Sequence, residues 1–137
     1  MTEPTQGMQG TKGKVLLVDD DKFLLDMYCM KFSQSGYNVF GAPSVSAAIE
    51  AIRGGYVPDA IIFDIVMPEE TGFSLLERLK EEQLVPGMLK VALTNQDDVE
   101  EKKRAQSLGA DVYLLKATMI PSEVVAKVSD ELSKRTK

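Results

Sequence analysis

Four short apolar runs in this chain stop abruptly at a polar group, and that feature restricts the fold more than any other. Val15-Leu16-Leu17-Val18 runs into Asp19 and Asp20, and Ala60-Ile61-Ile62-Phe63 runs into Asp64. Val91-Ala92-Leu93 ends at Thr94, and Val112-Tyr113-Leu114-Leu115 at Lys116. Apolar runs of this length, without polar alternation, read as strands covered on both faces. A carboxylate or ammonium at the tip of such a strand is costly unless something at that tip uses it. The chain must therefore cover its strands and gather its charges at their ends.

Helical signals fill the intervals. Leu25, Tyr28 and Phe32 recur at helical spacing, and Gly36 stands where that helix would end. A second strand is expected over 37–40. Ser44 is placed to cap a helix carrying Ala48 and Ile52, which stops near Gly54-Gly55. Pro68 forbids continuation of the strand over 60–63. Thr71 is placed to cap a helix that buries Leu75, Leu76 and Leu79. Pro86-Gly87 signals a turn before a fourth strand over 88–93. Asp97 or Asp98 caps the next helix, whose thin apolar stripe is Val99, Ala105 and Leu108, with Gly109 after it. A fifth strand covers 112–115. Pro121 opens a last helix with Val124, Val125, Val128 and Leu132 facing inward. Residues 1–13, rich in Gly, Gln and Thr without periodicity, are expected to form a flexible N-terminal tail ahead of one domain over 14–137.

Five strands alternating with five helices, joined by right-handed crossovers, give a doubly wound α/β fold: a parallel sheet with helices on both faces. Ligands of such sheets lie beyond the carboxyl ends of the strands, near the point where strand order reverses. All the polar residues named above fall at those ends. The 137 residues suit one domain with a real core, and no room is expected for an output domain. No apolar stretch approaches the ~20 residues that span a bilayer, and no secretory signal is visible. A net charge of −5 argues against direct nucleic-acid binding. The single cysteine, Cys29, excludes an internal disulfide and fits a reducing cytoplasm; its expected place is a small apolar position on a helix. With no histidine, serine–histidine–aspartate and cysteine–histidine triads and histidine metal sites are excluded. Any phosphohistidine donor must then belong to another chain.

Three carboxylates brought close together resist joint ionisation. A Mg²⁺ ion relieves this, since it favours oxygen ligands from one or two carboxylates, water and phosphate. Asp19-Asp20, Asp64-x-x-Met67-Pro68 with Gly72, Thr94, and Tyr113-x-x-Lys116 resemble, in order and each at a strand end, the motifs of a response-regulator receiver domain of two-component signalling. The resemblance covers roughly 14–132 and implies the flavodoxin-like strand order 2-1-3-4-5.

It also implies the chemistry. Asp64 would be the phosphoacceptor, attacking phosphorus in line to form an acyl phosphate. Asp20, Asp64 and the Val66 backbone carbonyl would hold Mg²⁺ (or Mn²⁺), with Asp19 acting through water. Lys116 would neutralise the phosphoryl oxygens and Thr94 would donate a hydrogen bond to one of them. Thr94 and Tyr113 would be switch residues, altering the surface of helix four, strand five and helix five. Val66 and Gln96 stand where the lifetime of the phosphorylated state is tuned; an apolar Val66 cannot orient an attacking water, although Gln96 could, and a moderately long lifetime is expected. The implied partners are a histidine kinase or a histidine phosphotransfer protein and a downstream target protein. No direct nucleic acid and no membrane are expected, and the chain would be a cytoplasmic single-domain regulator, monomeric or weakly dimeric.

Two departures stand out. Ala117 follows Lys116 where the family usually has proline after a cis bond, so either a trans bond with a rearranged loop or a cis bond is expected. Asn95 follows Thr94 where a small residue is common, and its bulk narrows access. Two rival readings are weighed against this one. Asp19-x-Asp21 after the first strand fits the nucleophile motif of a haloacid-dehalogenase-like phosphatase, but the chain is short for one and Asp64 would have no role. An unphosphorylated receiver-like binding module would leave the acidic set without use. Asp21 itself is expected only to cap the first helix, and Lys102-Lys103-Arg104 to be a solvated helix face.

Overall fold

A computed structural model describes residues 12–95 and 97–135. Most of the expected tail, and Gln96, lie outside the described residues. The chain alternates as β1 (Lys14–Val18), α1 (Lys22–Gln34), β2 (Asn38–Ala42), α2 (Val45–Arg53), β3 (Ala60–Phe63), α3 (Gly72–Glu81), β4 (Leu89–Thr94), α4 (Val99–Ser107), β5 (Val112–Leu115) and α5 (Pro121–Arg135), with a 3₁₀ turn over Lys116–Thr118 before α5. The sheet is parallel throughout, in the order β2-β1-β3-β4-β5. This is the expected flavodoxin-like arrangement. Strand order reverses at β1, whose end lies between those of β2 and β3.

Alternation along each strand sends side chains to opposite faces. Leu16, Val18, Ile61, Phe63 and Ala92 enter one core with α2 and α3; Val15, Leu17, Ile62, Val91 and Leu93 enter the other with α1 and α5. Both faces are covered, which explains why the strands show no polar alternation. The expected caps form: the side chains of Asp21, Ser44, Thr71 and Asp98 accept from the backbone N–H of Leu24, Ala47, Ser74 and Glu101. Cys29 is buried, and burial pushes its thiol up to about 12, so it behaves as a small apolar side chain. Among the described residues, no helix is long and apolar enough to cross a membrane.

Some expectations shift. Tyr37 precedes β2 because its N–H closes the end of α1 on the Phe32 carbonyl (3.1 Å) while its ring packs edge-on against Phe32. Met88 precedes β4 because its N–H closes a turn on Val85. Lys12 and Gly13, counted with the tail, bond to Gly36 and Asn38. The stripe proposed for α4 is corrected: Val99 is 64% exposed, Ala105 is the only fully buried residue of the helix, and Leu108 packs in partly. Six residues at helical pitch set Val99 about 120° away from Ala105 around the axis, so the two do not share a face. Arg104 is not purely solvated either, because its guanidinium lies 4.1 Å from the centre of the Phe73 ring.

The contrast between α3 and α4 is measurable. Leu76→Ala, at a fully buried position of α3, is expected to lower unfolding free energy by about 2–5 kcal/mol. Val99→Ala should change it by no more than about 0.5 kcal/mol. Urea denaturation of the two variants checks both values.

Candidate functional site

The carboxyl ends of β1 and β3 bring the acidic residues together. The N–H of Asp19 donates to the Ala42 carbonyl at the end of β2 (3.2 Å), and the N–H of Asp64 donates to the Val18 carbonyl at the end of β1 (3.1 Å). The backbone thus fixes both aspartates at the switch point of the sheet. One oxygen from each of Asp19, Asp20 and Asp64 lies within 4.8 Å of the others. Asp19 is buried, Asp64 is half-buried, and Asp20 faces solvent at the mouth.

Lys116 enters from the end of β5. Its Nζ donates to Asp19 Oδ2 (2.9 Å) and to Asp64 Oδ2 (3.2 Å), and its side chain is only 8% exposed. The other oxygen of Asp64, Oδ1, accepts the Val66 N–H at 3.3 Å. Both oxygens of Asp64 are therefore held. Asp19 Oδ1 accepts the Asp21 N–H at 2.9 Å. Asp19 is thus held at both oxygens, by the lysine and by a backbone N–H.

The electrostatics follow from this packing. Burial raises the Asp64 carboxyl above its ordinary range, Lys116 opposes the shift, and Asp19 adds to it. Burial alone would lower the Lys116 ammonium, but its bonds and charge pairing with Asp19 and Asp64 outweigh that and hold it above its usual value. Three carboxylates against one ammonium leave two negative charges uncompensated. A divalent cation matches that remainder, and a set of carboxylate oxygens is the donor chemistry of a hard cation. The cluster is thus a fitting divalent-cation site, open on the Asp20 side.

The loop after β3 carries the acceptor and is tightly built. A Cβ on Gly72 would lie 2.8 Å from the Asp64 carbonyl oxygen and 2.9 Å from Ile65 Cα, so only glycine allows the loop to return so closely. The Gly72 N–H donates to the Ile65 carbonyl at 2.8 Å. Ile65 and Met67 anchor the loop in the core. On its outer side Glu70 accepts from Ser74 (2.8 Å), Arg78 (3.0 Å) and, more weakly, Ser46 (3.4 Å). Sequence reading missed this network, since charged residues on a helix face carry no signal of a partner across a loop.

The remaining residues take graded positions. Thr94 is fully buried as the last residue of β4, in register with Leu115, next to Lys116. Val66 is 55% exposed at the rim. Tyr113 is half-buried, and its hydroxyl donates to Glu101 Oε1 on α4 (3.0 Å). Burial first, then that bond, push its phenol up to about 12. Gln96 lies outside the described residues. The Lys116–Ala117 bond is trans, since the described residues contain no cis peptide. A groove beside Lys116 is lined by Leu24, Met27, Tyr28, Asn95 and Ile120. Tyr28 was legible only as a core position of α1, yet it also borders the small void behind Asp19 and Asp64.

Comparison with known proteins places this geometry. Residues 15–129 match the response regulator receiver domain family. The chain is 34% identical over 114 residues to a probable transcriptional regulatory protein, TcrX, of Mycobacterium tuberculosis, covering 83% of this chain and 47% of that protein. It spans about half the length of the curated relatives it matches. The fold superposes on a CheY-like receiver domain protein from Methanospirillum hungatei with a TM-score of 0.81 at 28% identity, covering 90% of this chain and 95% of that one. The chemotaxis protein CheY4 of Vibrio cholerae gives 0.79 at 26% identity, with 85% and 96% covered.

Three outcomes are expected of the acidic cluster. Mg²⁺ should raise the melting temperature of the wild-type chain, because it binds the folded state alone, and Asp20→Asn should abolish the rise. The raised carboxyl of Asp64 makes its ionised form cost stability, a cost present at neutral pH and relieved as pH falls through its folded value. Asp64→Asn should therefore melt no lower than wild type in metal-free buffer at neutral pH. Mg²⁺ binding should also weaken on acidification at a higher pH than an ordinary aspartate would require. Thermal melts and calorimetric titration across pH check all three.

Proposed function

This chain belongs to the response regulator receiver domain family, and on that premise we propose that Asp64 accepts a phosphoryl group from a phosphohistidine on another protein. Receiver domains are signalling modules, with at most self-catalysed gain and loss of the phosphoryl group. The acidic cluster of Asp19, Asp20 and Asp64 at the strand ends is the observation that carries the reading.

The chain's own residues divide the work. An Asp64 oxygen attacks phosphorus as the N–P bond to the donor imidazole breaks, giving an acyl phosphate and free imidazole. The Val66 N–H and the Lys116 ammonium hold the two oxygens of Asp64 before transfer. After transfer the phosphoryl oxygens attract Lys116, and the Thr94 hydroxyl at the neighbouring strand end donates to one of them. Asp19, Asp20, Asp64 and the Val66 carbonyl are the groups that would hold Mg²⁺, or Mn²⁺, which when bound neutralises the developing phosphoryl charge.

The donor lies outside these 137 residues, which hold no histidine. To reach Asp64, its protein has to cover the rim, where Val66 is 55% exposed and Ile120, 61% exposed, lines the Lys116 groove. The target side is α4, β5 and α5, with Thr94 at the end of β4 and Tyr113 on β5 as the switch residues. At Val66 an apolar side chain orients no water, and Asn95 lines the approach, both of which favour a moderately long-lived phosphoaspartate. Gln96 is the remaining lifetime-tuning position.

Incubation with acetyl phosphate and Mg²⁺, followed by intact-mass measurement, tests the assignment. One hydroxylamine-sensitive phosphoryl adduct is expected on wild type and none on Asp64→Asn. Lys116→Ala should label roughly a hundredfold more slowly, as when a preorganised charge is lost from a transfer site. Labelling that survives Asp64→Asn and disappears with Asp19→Asn would instead favour the dehalogenase-like phosphatase.

A further inference from the structure

The chain has four tyrosines, Tyr28, Tyr37, Tyr56 and Tyr113. Three of them have a partner for the phenol. Tyr37 shares a hydrogen bond with Ser129 (2.6 Å), Tyr56 donates to the Val15 carbonyl (2.9 Å), and Tyr113 donates to Glu101. Tyr28 differs. It lies on the buried face of α1 with Leu25 and Phe32 and is only 5% exposed, yet its hydroxyl makes no hydrogen bond to any described residue. A phenylalanine would fill the same space without the cost of a poorly solvated polar group. Among the described residues no fully enclosed side-chain polar atom lacks a partner, so this hydroxyl opens onto a cavity. Tyr28 lines the small void behind Asp19 and Asp64, and also the groove whose wall carries Lys116 and Asn95.

Lys116 has the complementary shortage. An ammonium carries three N–H donors. Its Nζ places two of them on Asp19 Oδ2 and Asp64 Oδ2, although the side chain is only 8% exposed. No described residue accepts the third. The electrostatics agree with a hydroxyl near this charge: burial raises the Tyr28 phenol above its ordinary value, Lys116 opposes the rise, and Asp19 and Asp64 add to it. The phenol is therefore neutral at pH 7, and its oxygen keeps lone pairs for a donor. The two groups make no direct hydrogen bond but share a groove that admits water, and Asn95 on the same wall is a further polar partner for one.

We propose that Tyr28 is a positioning residue of the phosphoryl site, its hydroxyl accepting the third N–H of Lys116 across one bridging water. Asp19 and Asp64 draw the ammonium toward the ends of β1 and β3, and the hydroxyl restrains it from the side of α1. The lysine then keeps its bearing as an Asp64 oxygen takes up a phosphoryl group. This effect on transfer rests on the reading of Asp64 as phosphoacceptor, whereas the contact itself does not.

Initial rates of labelling by acetyl phosphate with Mg²⁺, followed by intact mass, test the role. Tyr28→Phe keeps the ring in the core and should label about three- to tenfold more slowly than wild type, the scale of one lost hydrogen bond. In the Lys116→Ala background the same substitution should add nothing, since the group it positions is gone. Lysine side-chain NMR of the metal-free, unphosphorylated chain supplies a readout that packing alone would not move. The Nζ signal of Lys116, assigned by its loss in Lys116→Ala, should exchange faster with solvent in Tyr28→Phe. An unchanged labelling rate, an equal slowing in both backgrounds, or an unchanged Nζ signal would overturn the proposal. Asp64→Asn separates the two readings: an adduct on that variant ends the phosphoacceptor assignment, while the Nζ measurement still decides the Tyr28 contact.

Discussion

The Lys116 ammonium, held between Asp19 and Asp64, is the interaction on which the rest of the structure depends. The two central strands of the sheet both end in carboxylates, and their repulsion in a partly dry site would push those ends apart. Lys116 comes from β5, two strands beyond β3, and reaches across the end of β4 to answer both. A buried pair of this kind adds little net stability by itself, but loss of one partner leaves an uncompensated charge inside. The lysine thus fixes the relation of three strand ends at once, and Thr94 is enclosed beneath its path. It still leaves the cluster short of positive charge. That deficit suits the site to a divalent cation and cannot be removed by closer packing.

Much of this was legible before any coordinates. The apolar runs specified covered strands, the alternation specified a doubly wound sheet, and the strand ends specified where the chemistry had to be. The caps at Asp21, Ser44, Thr71 and Asp98 were readable because an N-cap is a local device with a fixed offset. What failed was whatever depends on a neighbour distant in sequence. Val99 was read onto a face it does not share with Ala105, because a thin stripe gives too few apolar positions to fix the helical phase. Tyr37 and Met88 were read into strands although helix and turn closure claim their N–H groups. The Glu70–Arg78 and Tyr113–Glu101 contacts left no trace in the sequence. The direct pairing of Asp19 with Lys116 was likewise beyond the spacing rule that found both residues.

The helices differ in what holds them, and the difference matches their expected roles. Both α1 and α5 fill one core, and α2 and α3 the other, each with a row of fully buried side chains. A rearrangement of any of these would open a core. With one buried alanine and two polar contacts, α4 can shift without exposing much apolar surface. A two-state element needs alternatives that lie within a few kcal/mol of each other. Helices packed by many large side chains are poorly suited to that, and one held by a carboxylate and a stacked guanidinium is well suited.

Lys116 reaches its two carboxylate partners with a trans bond to Ala117. With no proline to set the backbone after β5, the chain turns through the 3₁₀ segment Lys116–Thr118, where the Thr118 hydroxyl donates to the Leu115 carbonyl at 3.2 Å. Lys116 then depends for its direction on its two carboxylate partners and on the walls of the groove formed by Tyr28 and Asn95. A lysine positioned mainly by its partners is free to follow them. When charge at Asp64 moves outward onto a phosphoryl group, the ammonium has reason to move with it, and the end of β5 with the lysine. Tyr113 lies on that strand and Glu101 is bonded to it.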